Sequence, residues 1–157
     1  MAESEKFIND VKRSVESGVR PIELGFFPVV DPEDGTPIAY RSEIVILSTI
    51  KGEMREKYYT RVSDSAECGK ELFEYAINRL AGILRDLKNR GKDVKFVSVR
   101  CPAELVEKID FYETLKRLTG KQSKETRGKM CIEFPSSLLD RNRDKANTAI
   151  LDIKAVG

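Results

Sequence analysis

The stretch that decides the fold runs from Phe26 to Leu47: Phe-Phe-Pro-Val-Val-Asp-Pro-Glu-Asp-Gly-Thr-Pro-Ile-Ala-Tyr-Arg-Ser-Glu-Ile-Val-Ile-Leu. Its centre, Asp31 to Pro37, is made of Asp, Pro and Gly, the residues that turns select. A short apolar run, Glu23 to Val30, precedes the turn, and a β-branched run, Ile38 to Leu47, follows it. Two extended runs around such a turn predict an antiparallel hairpin. The acids Asp31, Glu33 and Asp34 read as turn residues, because the ligand spacing of a calcium loop is absent.

Working outward, Phe7, Val11 and Val15 recur at helical spacing. They predict an amphipathic helix over about 4–17, within an N-terminal segment 1–20, that Gly18 and Pro21 end. Beyond the hairpin, Lys51 to Val62 is a charged connection. A long helix from about Ser65 to Asn89 follows, with Leu72, Phe73, Ala76, Ile77, Leu80, Ile83, Leu84 and Leu87 in a 3.6 period and Gly91 as its stop. Asp93 to Cys101 reads as a strand that Pro102 ends, followed by short helices at about Ala103–Lys108 and Phe111–Leu118. Lys121 to Lys129 reads as a polar loop, Lys129 to Phe134 as a strand, and Arg141 to Ala155 as a helix with Ala146, Ala149, Ile150 and Ile153 on one face. From Ile38 onward strands and helices alternate, which predicts an α/β domain with a parallel sheet. Four strands cannot close a barrel of eight, and the strand expected after the last helix is not in the sequence.

The 157 residues are 40% hydrophobic and 34% charged, enough for one domain, 1–157, with one core. There is no histidine, which excludes histidine-activated nucleophiles and histidine-ligated metals. The net charge of +2 is spread along the chain, and the basic runs Lys121–Lys129 and Arg141–Lys145 are mixed with acids, so neither nucleic acid nor a membrane surface is expected as a partner. No apolar run approaches a membrane span and no secretory signal is visible. Three cysteines, an odd number, suit a reducing cytoplasm. Cys68, Cys101 and Cys131 are each expected as small buried hydrophobes. Gly120-Lys121-Gln122-Ser123 lacks the upstream glycine of a phosphate loop.

Two groups of residues could carry chemistry. Glu133 follows a strand near its C-terminal end, where α/β sheets bind ligands. It reads either as a metal-ligating or acid–base carboxylate or as an ordinary strand-end acid paired to a cation. Arg41 and Glu43 stand two apart on one strand and share a face. They read either as a polar cluster pointing into a barrel mouth or as the exposed face of an edge hairpin with a local ion pair.

The order of motifs resembles the EAL domain, the cyclic di-GMP phosphodiesterase family of bacterial signalling, over its N-terminal half. Phe26–Tyr40 is similar to the family's opening Q-P-I-V-D…G…G-Y, and Tyr58–Leu84, with Ser-Asp-Ser-Ala-Glu-Cys-Gly before a long helix, to its F-I-x-x-A-E-x-x-G helix. Phe96–Leu105 resembles V-N-L-S…L, Cys131–Ser136 resembles L-E-I-T-E, and Leu151–Gly157 resembles L-x-x-L-K-x-x-G. The resemblance implies a partial, half TIM-barrel-like EAL fold, with an antiparallel first strand and then parallel βα units.

It also implies a depleted site. Where the Glu-Ala-Leu signature should follow Tyr40, an ungapped match places Arg41, Ser42 and Glu43, so a cation replaces the metal-binding Glu; a two-residue insertion would put Glu43 there instead. The signature's trailing Arg falls on Val45. The family's metal-binding Asn falls at Arg100 or Ser98, depending on a one-residue gap. The first Glu of L-E-I-T-E is Glu133 and the second falls on Ser136. The paired aspartates, the catalytic Lys and the later Glu would lie beyond Gly157, and the chain is about 90 residues short of a typical barrel of about 250. The residual site positions are therefore Arg41, Glu43, Arg100 and Glu133, with no catalytic residue, metal or cofactor expected. Two-metal hydrolysis needs several anionic oxygen ligands. An arginine at a former metal position repels a cation, and it can instead hold a phosphate or a neighbouring carboxylate.

Three functions follow from this reading. The first is a catalytically inactive regulatory module that binds a protein partner or itself as a homodimer, because a half barrel exposes a sheet edge and apolar residues. The others are part of a phosphodiesterase hydrolysing cyclic di-GMP to pGpG, and a cyclic di-GMP receptor without catalysis.

Overall fold

The computed structural model describes residues 2–48, 52–54, 69–108 and 110–157. Helix α1 (Ala2–Glu16) buries Phe7, Val11 and Val15 as the spacing predicts. Gly18, at φ +85°, ends it: the Gly18 N–H bonds to Val15 O and the Val19 N–H to Ser14 O, so the helix closes on its own last carbonyls. Strands β1 (Ile22–Val30) and β2 (Pro37–Ser48) form the expected antiparallel hairpin. In its turn, Asp31 Oδ1 accepts from Glu33 N and Asp34 Oδ1 from Thr36 N, and Gly35 takes φ +74°, which a side chain would resist.

A strand that the sequence reading missed, β3 (Gly52–Met54), lies in the charged connection and pairs antiparallel with the distal half of β2. Helix α2 (Gly69–Asn89) matches the long helix, and the expected start at Ser65 lies outside the described residues. Its buried stripe is Leu72, Phe73, Ala76, Ile77, Leu80, Ala81 and Leu84; Ile83 and Leu87 are only half-buried at its margin. Gly91, at φ +68°, closes it through Gly91 N to Lys88 O and Lys92 N to Leu87 O.

Strand β4 is shorter than expected, Val97–Arg100, although Lys95 N still bonds to Ile38 O and Tyr40 N to Phe96 O ahead of it. Helices α3 (Ala103–Lys108) and α4 (Phe111–Thr119) follow, the second capped by Asp110 Oδ1 on Glu113 N at 3.0 Å. The expected loop at Lys121–Lys129 contains a helix, α5 (Lys124–Gly128), because Ser123 caps it by accepting from Thr126 N. Strand β5 is Met130–Glu133. A further unexpected helix, α6 (Ser136–Arg141), is anchored by the fully buried Leu138. Helix α7 (Arg143–Val156) starts at Asn142, whose Oδ1 accepts from Lys145 N. It buries Ala146 and Ala149, but Ile150 is 40% exposed, so the expected apolar face is narrower than the spacing suggested.

The sheet order is β1-β2-β4-β5, with β3 also on β2. β1 is antiparallel to β2, while β2, β4 and β5 run parallel. The structure is thus the mixed α/β arrangement expected: an antiparallel first strand, then parallel βα units. One face of the sheet, with Ile44, Ile46, Val97 and Val99, joins the core with α2. On the opposite face, among the described residues, Phe27 and Arg41 are exposed, Glu43, Arg100 and Glu133 half-buried and Ser98 buried. Cys101 is fully buried as expected, whereas Cys131 is exposed, because its place in β5 turns it to that open face. Cys68 lies outside the described residues. No described helix is long and apolar enough to cross a membrane.

Candidate functional site

Pleating and register assemble the site. Arg41 of β2 lies directly opposite Ser98 of β4, Ser98 opposite Cys131 of β5, and Arg100 opposite Glu133. Residues opposite one another share a face, and so do residues two apart. Arg41, Glu43, Ser98, Arg100, Cys131 and Glu133 therefore all lie on the open face of the sheet. The parity was legible in the sequence. Which strands are neighbours was not.

The contacts centre on Glu133. Arg41 Nε donates to its Oε2 at 3.2 Å, and Ser98 Oγ donates to its Oε1. A third hydroxyl works beside them: Ser42, turned to the core face, donates from Oγ to the Ser98 carbonyl. Here β2 stops pairing with β4 and goes on to pair with β3, and the Ser42 hydroxyl adds a bond to β4 at the fork. Arg41 holding a neighbouring carboxylate is one of the two roles expected for an arginine at this position. The Arg41–Glu133 pair runs across the sheet, over 92 residues of sequence.

The four sequence-derived positions are thus brought to one face, but only Arg41 and Glu133 are joined by a direct contact of known geometry. Glu43 lies two residues beyond Arg41, opposite Gly25 of β1. Ser98, an alternative to Arg100 in the sequence reading, bonds to Glu133. Ser42 was missed entirely, and no sequence signal marks a serine whose hydroxyl bonds across to β4. Side-chain exposures of 49% for Arg41 and 33% for Glu133 keep the pair partly solvated, so it contributes at most about 1 kcal/mol.

The same carboxylate affects its neighbour. Partial burial, and then the negative charge of Glu133, push the Cys131 thiol above its ordinary pKa. Burial alone does so more strongly for Cys101. Neither environment generates a thiolate nucleophile.

The donor set does not fit a pair of divalent cations. Among the described residues, no three of His, Cys, Asp and Glu converge on one point. The carboxylate best placed for a metal, Glu133, has each oxygen bonded to a protein donor, one of them cationic.

With this geometry established, the solved structures most similar to the chain can be compared. A PaMucR phosphodiesterase in complex with c-di-GMP superimposes with a TM-score of 0.82 at 14% identity, over 97% of this chain and 60% of that one. The chain has, in part, the EAL-domain fold. The EAL domain of Xanthomonas citri FimX, in complex with c-diGMP, matches at TM-score 0.72 and 11% identity, over 99% of this chain and 58% of that one. An EAL domain protein from Listeria monocytogenes matches at TM-score 0.68 and 14% identity, over 95% and 56%. The chain therefore spans less than two thirds of these EAL structures. No family model matches the sequence, and a comparison with curated proteins finds no match. At 11–14% identity, what the comparison shows is the fold.

Proposed function

We propose that this chain is a single EAL-like module that does not hydrolyse cyclic di-GMP and acts in the bacterial cytoplasm as a regulatory protein-binding unit. The observation that carries the reading is the Arg41–Glu133 pair. A guanidinium stands against the carboxylate that a metal would need, and its own positive charge opposes a cation there. Arg41, Glu43, Arg100 and Glu133 are then residual positions of a site whose hydrolytic chemistry has lapsed. The open sheet face supports the second half of the reading, because exposed apolar side chains beside fixed charges suit protein contact.

The test is a turnover assay with cyclic di-GMP and either Mg²⁺ or Mn²⁺. The expected result is no linear pGpG. Metal-dependent hydrolysis that disappears in Glu133→Gln would establish the chain as part of a phosphodiesterase and overturn the proposal. A second reading, a non-catalytic receptor for cyclic di-GMP, is favoured by Arg41 and Arg100 on the same face as Glu133, since arginines bind phosphate. Calorimetry separates the two: heat on titrating cyclic di-GMP, reduced in Arg100→Ala, would select the receptor.

A further inference from the structure

The helical side of the sheet, opposite Arg41 and Glu133, holds a cavity of 370 Å³ whose walls come from α3, α4 and α7 alone. Helices α4 and α7 pack on one another, with Phe111, Leu115 and Leu118 of one and Ala146 and Ala149 of the other in the core. The cavity lies at the start of α4. Its α7 wall is Lys145, Thr148, Ala149 and Asp152, which are i, i+3, i+4 and i+7 and so form one stripe of that helix. The floor is apolar: Val106 of α3, Phe111 of α4 and Ala149 are all buried. The Phe111 ring rests on that of Phe134, with centroids 5.8 Å apart, so the floor is backed by the core.

The rim carries the polar groups, and what distinguishes them is that their charges are unspent. Around the cavity, Arg141 pairs with Glu104 and Glu107, and Lys116 with Glu113. Lys145 and the half-buried Asp152 have no side-chain partner among the described residues. Asp110 uses one oxygen, Oδ1, to accept from Glu113 N, and its other oxygen is free. The Thr148 hydroxyl gives its proton to Asp144 O at 2.9 Å, so towards the cavity it can only accept. The rim therefore presents two carboxylates and one ammonium over an apolar floor, a net charge of one negative.

The complement of that rim is a small molecule with two cations, one anion and an apolar stem between them. A basic α-amino acid is such a molecule: an α-ammonium, an α-carboxylate, and a side-chain cation on a stem of three or four methylenes. The cavity stands at the small end of the range for small-molecule sites, where an apolar lining with a few convergent polar groups is the rule. Lys145 and Asp152 are two turns apart, about 10 Å along α7, so they can hold the opposite ends of the ligand with its stem lying over Ala149 and Phe111. A diamine would leave Lys145 without an anion, and an apolar amino acid would leave one carboxylate without a cation.

We propose that this cavity binds a free basic amino acid, arginine or lysine, with the side-chain cation on Asp152, the α-ammonium on Asp110 and Thr148, and the α-carboxylate on Lys145. This inference goes beyond the loss of hydrolysis and does not depend on it: the site lies on the other side of the sheet, and its occupancy is read by binding, whether or not cyclic di-GMP is cleaved.

Calorimetry of the full chain with L-arginine and L-lysine at millimolar concentration tests it. Saturable heat at one ligand per chain is expected for both. Asp152→Asn removes one charge-assisted contact and should weaken both by about tenfold or more. Agmatine, which is arginine without its carboxylate, should bind wild-type protein more weakly than arginine does, and Lys145→Met should abolish that preference. Norleucine, which has the stem of lysine without its ammonium, should bind at least about tenfold more weakly than lysine. Neither substitution touches the buried floor, so the melting temperature without ligand should stay as in wild type. No heat with either amino acid at millimolar concentration would overturn the proposal. So would binding that both Asp152→Asn and Lys145→Met leave intact, or norleucine binding as tightly as lysine.

Discussion

Glu133 engages both carboxylate oxygens, one with Arg41 and one with Ser98, and the two bonds differ in what their loss should cost. Arg41 is half-exposed, so Arg41→Ala should lower stability by less than about 1 kcal/mol in urea denaturation. Ser98 is 2% exposed, and Ser98→Ala removes a hydroxyl donor from a partly buried acid, at a cost of about 1–2 kcal/mol. A larger loss for Arg41→Ala than for Ser98→Ala would contradict this account. The thiols give a second check. Exposed Cys131 should react with a maleimide in the native state, slowly at neutral pH because its thiol is pushed up, whereas Cys101 should react only on unfolding. At this scale the sequence was informative about identity and face: Arg41 with Glu43, and Cys131 with Glu133, follow from pleating alone. The burial of Cys131 was misjudged because an apolar run suggests burial on both faces, while β5 has one face open.

Helices were legible where they carry a long stripe and illegible where they are short. Helix α2 has eight buried positions in its 21 residues, and Leu80→Ala there should cost about 3 kcal/mol. The turn α5 rests on a single cap at Ser123, hidden in a run of charges that resembles a loop. That run also carries a charge cluster. Lys88 pairs with Glu125, and Lys129 with Asp93 and Glu125, joining the end of α2, the start of β5 and α5. The bond from Lys129 holds Asp93 below its ordinary pKa, that from Lys88 does the same for Glu125, and the bond to Asp93 raises Lys129. Depressed carboxylates stabilise the fold above their ordinary pKa, and this is lost as pH falls through the folded values. A raised lysine stabilises below its ordinary pKa and loses that contribution as pH rises through the folded value. The stability gap between wild type and Lys129→Met should therefore be open at pH 7. It should close as pH falls through the depressed values of Asp93 and Glu125, and again as pH rises through the raised value of Lys129. A gap independent of pH would assign Lys129 a packing role only.

For the molecule as a whole, hairpin, parallel units and element order followed from local patterns, because turn chemistry and periodicity act over a few residues. The pairing of Arg41 with Glu133 did not, since it depends on which strands become neighbours. The donor set also makes a prediction about ligands: Mg²⁺, Mn²⁺ or a chelator should leave the melting temperature unchanged, whereas a cation held by the folded state would raise it. A consequence of the fork in β2 concerns time. One edge of that strand meets β1 across a short turn, while on its other edge the Ser42–Ser98 contact at the fork joins residues 56 positions apart. Loop closure makes the first pairing fast and the second slow, so the hairpin should form early and offer its edge to the chain that follows. In stopped-flow experiments, Gly35→Ala in the turn should chiefly slow folding, while Leu138→Ala in α6 should chiefly speed unfolding. The reverse pattern would mean that the parallel units assemble first and the hairpin is added to them.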